Sequence, residues 1–278
     1  MFDHPVVNSV AVPLFLGIVV AALARWRPAR ASAFGCLGIG AVIFLATAMI
    51  TGGLSFPPSG VLGKYPFVAA ASGVVGLLIA FMSAGRARLV SALWLIAVGL
   101  WLFGAWSHKG YAAMSQVIMG TVVAVVLVWS AMSSAAKPGT SILAYACSSL
   151  VLAVVVLMAG SLALGQISAA FACASAGVLA TNYFRQTISL GQGVVFAFAT
   201  IWVVQSLMVV QLGALHPVST LVIVAVFGVV LTERRALALW GVHRHWVSVG
   251  VVVSSVVLGV IAWLIHQALS VGADAYYQ

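Results

Sequence analysis

Apolar residues in this chain run in long unbroken stretches separated by short polar or turn-forming breaks, rather than alternating or marking one face of a helix. Runs of that kind near residues 6–24, 33–51, 66–84, 89–107, 113–133, 141–163, 165–182, 190–213, 217–232 and 246–269 each approach the ~20 residues that a bilayer-crossing helix requires. The breaks carry Arg25 to Arg30, Gly52 to Pro66, Arg86 to Arg88, His108 to Tyr111, Lys137-Pro138-Gly139, Leu164 to Gln166, Arg185 to Ser189, His216-Pro217 and Glu233 to His245. The pattern predicts an all-α polytopic transmembrane bundle of about ten spans, forming a single transmembrane domain over 1–278 with no room for a separate soluble domain.

Composition strengthens that expectation and removes alternatives. Of the 278 residues, 64% are hydrophobic and 5% charged, far below the roughly 25% charged of soluble domains. The start, Met1-Phe2-Asp3-His4-Pro5, lacks a basic region ahead of its apolar run, so the first segment is expected to be a retained span. Alternating the loops from an outside N-terminus places ten of the twelve Lys and Arg residues on the cytoplasmic side, leaving only Lys64 and Lys109 outside. That asymmetry is the positive-inside bias, and it predicts both termini on the periplasmic face of a bacterial inner membrane. The net charge of +9 then reflects cytoplasmic loops against anionic lipid, and nucleic acid is not an expected partner.

Packing signals refine the picture. The seventh run, Ile167 to Gly177, carries Ser, Ala, Cys and Gly on nearly every face, which allows close helix approach and predicts a central position. The ninth and tenth runs, richer in Val and Leu, are expected at the lipid-facing rim. Trp26, Tyr65, Trp106, Trp240 and Trp246 fall near span ends as interface anchors, while Trp94, Trp101, Trp129 and Trp202 fall deeper.

The inventory of reactive groups excludes more than it offers. The three carboxylates, Asp3, Glu233 and Asp274, lie at predicted edges or termini, so coupling through an intramembrane carboxylate is not expected. Cys36, Cys147 and Cys173 lie inside apolar runs without paired spacing, as small core residues. No phosphate loop, Ser/His/Asp set, paired carboxylates or metalloprotease motif is present, and the chain is not expected to be an enzyme or to need a cofactor. Histidines His108, His216 and His266 are expected toward the outer face, where imidazole suits a metal or haem iron; ordinary loop and interface positions are the stronger explanation. Asn8, Thr47, Gln116, Asn182, Gln192, Gln205 and Gln211 are the uncharged polar groups within spans. On the eighth span Trp202, Gln205 and Gln211 are read first as interhelical hydrogen-bonding and packing groups, with a solute-contacting cavity as the alternative role. The loop from Gly52 to Gly60 reads as a plug, a partner contact or a turn, and Glu233 to His245 as a basic amphipathic segment on lipid.

Gly52-Gly53 with Pro57-Pro58 after the second span, and Gly160-Ser161-Leu-Ala-Leu-Gly165-Gln166 between the sixth and seventh, resemble uncharacterised bacterial ten-helix membrane proteins. The resemblance implies the same topology and no particular activity. Helix number also resembles the drug/metabolite exporters, whose termini are cytoplasmic, opposite to the reading here. Ten spans would divide into halves 1–138 and 139–278 of opposite orientation, although the halves share no residue match. The expected function is a small permease or flippase-like facilitator for an uncharged or lipophilic solute. The alternatives are a non-catalytic subunit bound to partner membrane subunits in a respiratory or secretion complex, and a haem- or quinone-binding redox subunit.

Overall fold

The computed structural model describes residues 4–26, 31–104, 111–133, 138–183, 191–225 and 244–274, and every regular element among them is helical. A π-helical turn, Val7–Ala11, leads into α1 (Val12–Trp26). There follow α2 (Ala31–Ile50), α3 (Gly60–Ile79), α4 (Ala84–Phe103), α5 (Tyr111–Ser133), α6 (Pro138–Met158), α7 (Leu162–Tyr183), α8 (Gln192–Gln211), α9 (Pro217–Val224) and α10 (Arg244–Asp274). Eight of these are long and apolar enough to cross a membrane, and α6 adds a shorter apolar stretch, Ile142–Met158. The chain is therefore a multi-pass helical membrane protein. A helix satisfies all its backbone donors and acceptors internally, which hydrocarbon cannot do for it.

Helix α3 starts six residues earlier than the pattern predicts. Pro66 lies inside it rather than at its entrance, so Lys64 and Tyr65 belong to the span instead of to the preceding loop. A proline removes one donor and displaces one turn, a cost that packing from neighbouring helices absorbs. Arg86 and Arg88 likewise lie in the first turns of α4. The loop over 51–57 is exposed throughout, so it does not fill the interior of the bundle. Residues 27–30, 105–110, 134–137, 184–190 and 226–243, with most of the basic segment Glu233 to His245 among them, lie outside the described residues.

Position within the bundle departs from the sequence reading at its centre. In α8, 89% of the apolar window is buried, against 61% in α7, so α8 rather than α7 is the axial helix. It packs against α2, α3, α5, α6, α7 and α9. Helix α10, only 22% buried, is at the rim as expected, and α5, at 17%, joins it there. Their outward Val, Leu, Ile and Met side chains form the apolar belt that lipid covers.

Three close crossings hold the inner helices. A Cβ on Gly40 would come within 2.8 Å of the Ala69 carbonyl oxygen, and one on Gly73 within 2.6 Å of the Cys36 carbonyl, which brings α2 and α3 into backbone contact. Gly76 and Gly193 each face the other's carbonyl and do the same for α3 and α8. Gly17 against Ala174, and Gly177 against Leu14, join α1 to α7. Lipid gives helices no hydrophobic reason to associate, so close van der Waals approach at small residues carries the packing. The α3–α4–α5 flank is built differently. Trp94 Nε1 donates to Ser72 Oγ at 3.2 Å, and Trp129 Nε1 to Ser91 Oγ at 3.0 Å and the Arg88 carbonyl at 3.1 Å.

Candidate functional site

Helix α8 carries the candidate site because its central position buries side chains on every face. Gln205 is fully buried there, and its Nε2 donates to Ser168 Oγ on α7. Ser168 Oγ spends its own proton on the Leu164 carbonyl at 2.8 Å. The hydroxyl can then only accept from Gln205, which fixes the amide with its NH2 toward α7 and its carbonyl oxygen turned away. That Oε1 is buried with no hydrogen-bond partner among the described residues. The amide thus serves as interhelical glue with one half, while the other half remains chemically available.

Trp202, one turn below, is buried at 1% exposure and packs in an aromatic group. Its ring centroid is 6.4 Å from that of Tyr145 on α6, which is 6.1 Å from Phe198; Phe198 is 5.9 Å from Phe171 on α7. These rings form an apolar floor beneath Gln205. Gln211, the third candidate on α8, ends the helix half-exposed and is not brought together with the other two.

The remaining candidates separate. His216 is exposed, and its Nδ1 accepts from the Val218 amide at 3.3 Å as the N-cap of α9, with Pro217 next in the first turn. His266 on α10 stacks 5.8 Å from Trp263 and leaves Nδ1 buried without a partner. His108 lies outside the described residues. Among those described, no three His, Cys, Asp or Glu side chains gather as metal ligands. Cys36 is buried and all three cysteines are free thiols. Trp94, Trp101 and Trp129, read as deep, are only partly buried; the last two are exposed at 43% and 37%.

Sequence reasoning missed Tyr65. Its position near a span end marks an interface anchor, yet the side chain is completely buried and its hydroxyl has no partner among the described residues. The actual anchor at that end is Lys64, whose Nζ donates to the Trp101 carbonyl at 2.7 Å and sits 5.6 Å from the Trp101 ring centroid. The usable signal was the spacing of Tyr65 from Gly76, eleven residues or three helical turns, which puts both on one face of α3. No protein-family model matches the chain, and no curated protein matches its sequence.

Proposed function

We propose that the chain is an inner-membrane permease or flippase-like facilitator that moves an uncharged or lipophilic solute without carboxylate-based ion coupling. In this reading it crosses the membrane ten times with both termini outside, and it is a carrier rather than an enzyme. The observation that carries the reading is Gln205, a buried amide on the axial helix whose carbonyl oxygen has no hydrogen-bond partner among the described residues. Leaving such a group unmet costs about 1–3 kcal/mol, a cost that is retained where the group serves an incoming molecule. The charge inventory agrees with an uncharged cargo: Asp3, Glu233 and Asp274 are the only carboxylates, and Asp274 is the last residue of α10.

The test is reconstitution of the purified chain into liposomes, with uptake followed for a panel of neutral solutes and a fluorescent phospholipid. Transport above protein-free vesicles supports the reading; no movement of any probe refutes it.

A second reading, a non-catalytic subunit of a larger membrane assembly, is favoured by the shallow burial of α5 and α10, which leaves two wide apolar faces. Purification in mild detergent separates the two: stoichiometric partner subunits support the assembly, whereas a monodisperse single chain that transports rules it out.

A further inference from the structure

Among the described residues, buried polar groups without partners include four on four different helices: Asn8 Oδ1, Thr47 Oγ1, Tyr65 hydroxyl and Gln205 Oε1. Thr47, Tyr65 and Gln205 are fully buried, and Asn8 is 8% exposed. The glycine crossings fix their relative heights. At the α2–α3–α8 junction a Cβ on Gly76 would stand 2.7 Å from the Gly193 carbonyl and 3.5 Å from Cys36 Sγ. Eleven residues, about 16 Å and three turns, separate Cys36 from Thr47, Tyr65 from Gly76 and Gly193 from Val204. The same three helix faces therefore meet again at Thr47, Tyr65 and Val204, with Gln205 next along α8.

The α1–α7 pair adds the fourth group. A surface groove lined by Ile18, Ala22 and Arg25 of α1 with Ala180 and Thr181 of α7 shows that these two helices run parallel. Gly177 stands against Gly17, and counting back nine residues along each helix puts Asn8 level with Ser168, the residue that holds Gln205. Asn8 projects from a π-helical turn, a device that re-aims a side chain within a helix. The layer lies close to one end of the bundle: Thr47 is three residues from the end of α2, Tyr65 five from the start of α3, and Gln205 six from the end of α8. The aromatic floor of Trp202, Tyr145 and Phe198 lies beneath it.

We infer that Asn8, Thr47, Tyr65 and Gln205 form a single binding site for a small uncharged solute rich in N–H or O–H donors, of the polyol or urea class. The free valences are two amide oxygens, which only accept, and two hydroxyls, which accept and donate. A ligand must therefore bring at least two donors. None of the four groups carries charge, so the layer offers no fixed counter-charge to an ion. The inference rests on the transport reading above and narrows its cargo from lipophilic to hydrogen-bonding.

The test uses the purified full chain in phosphatidylethanolamine/phosphatidylglycerol vesicles. Glycerol and urea entry is followed by stopped-flow light scattering, and a fluorescent phosphatidylcholine quenched by dithionite reports lipid movement. Saturable glycerol or urea flux is expected. Tyr65→Phe and Thr47→Val, which delete one hydroxyl each and preserve volume, should lower it by about tenfold, the effect of one hydrogen bond lost at a buried group. Gln205→Leu should act similarly, since Ser168 retains its bond to the Leu164 carbonyl. Gln116→Leu, on an exposed position of α5, should leave flux unchanged. Melting temperature and monodispersity of each variant confirm that it has folded. Lipid movement without glycerol or urea flux overturns this site and leaves the transport reading standing; flux indifferent to all three site variants also overturns it. Absence of movement by every probe defeats both.

Discussion

The α1–α2–α3–α7–α8 centre and the α3–α4–α5 flank solve one problem by opposite means. In the centre, glycines bring backbones together, and Gly40, Gly73, Gly76, Gly177 and Gly193 have no space for even a methyl group. On the flank, tryptophans add directional bonds between helices, with indole N–H groups reaching Ser72, Ser91 and the Arg88 carbonyl. The first method spreads adhesion over many atoms and tolerates no added volume. The second concentrates it in single directional bonds worth about 0.6–2 kcal/mol in a membrane and tolerates shape changes between them. The more demanding method surrounds the buried polar layer, where relative helix height decides which groups share one level.

The sharpest way to break that contrast is Gly193→Val. Its branches would drive into the Gly76 backbone, and overpacking of this kind costs about 3 kcal/mol or more, so the variant should unfold at much lower temperature in detergent or fail to accumulate as a monodisperse species. A melting curve within error of the parent protein would show that α3 and α8 do not rely on this crossing. Trp129→Phe keeps the ring and deletes the N–H that serves Ser91 and Arg88. It should lower stability by about 1 kcal/mol, measurable by detergent melting. If its loss equals that of Gly193→Val, the distinction between flank and centre disappears.

Lys64→Met should have a smaller effect, about 0.5–1 kcal/mol, because it removes one exposed cation–π contact and one bond to the Trp101 carbonyl while keeping the apolar stem. Its effect should shrink further in high salt, which screens the charge. The smallest change is expected from Gly85→Ala on α4, where an added Cβ meets nothing within 4 Å. Alanine is the better helix former by about 1 kcal/mol, so the melting temperature should hold or rise slightly. A fall would place a packed neighbour where the structure has open space.

Particular residues show where the sequence was readable. The runs centred on α2, α5 and α8 match their helices to within two residues, because twenty apolar side chains in lipid admit one backbone conformation. Gln205 was readable as a polar group that must find a partner, and it did so in Ser168. Pro66 was misleading: local rules put a helix start at proline, whereas neighbours keep α3 helical through it. The composition of α7 suggested the axis, because small residues permit close approach; they do not say how many helices take up that permission. The buried state of Tyr65 was hidden for a related reason, since its distance from a loop resembles that of an anchor and only its face distinguishes it.

The sequence alone thus determined that the chain is a bundle of membrane-embedded helices and where most of them fall. Those properties follow from transfer energies and hydrogen-bond satisfaction, which act on each segment independently. Which helix lies at the axis, which glycines meet, and which of seven scattered polar residues share a level were decided by tertiary structure. Each depends on the rotation and height of one helix against another. Interhelical contacts set those two variables, and apolar runs of similar composition leave them free.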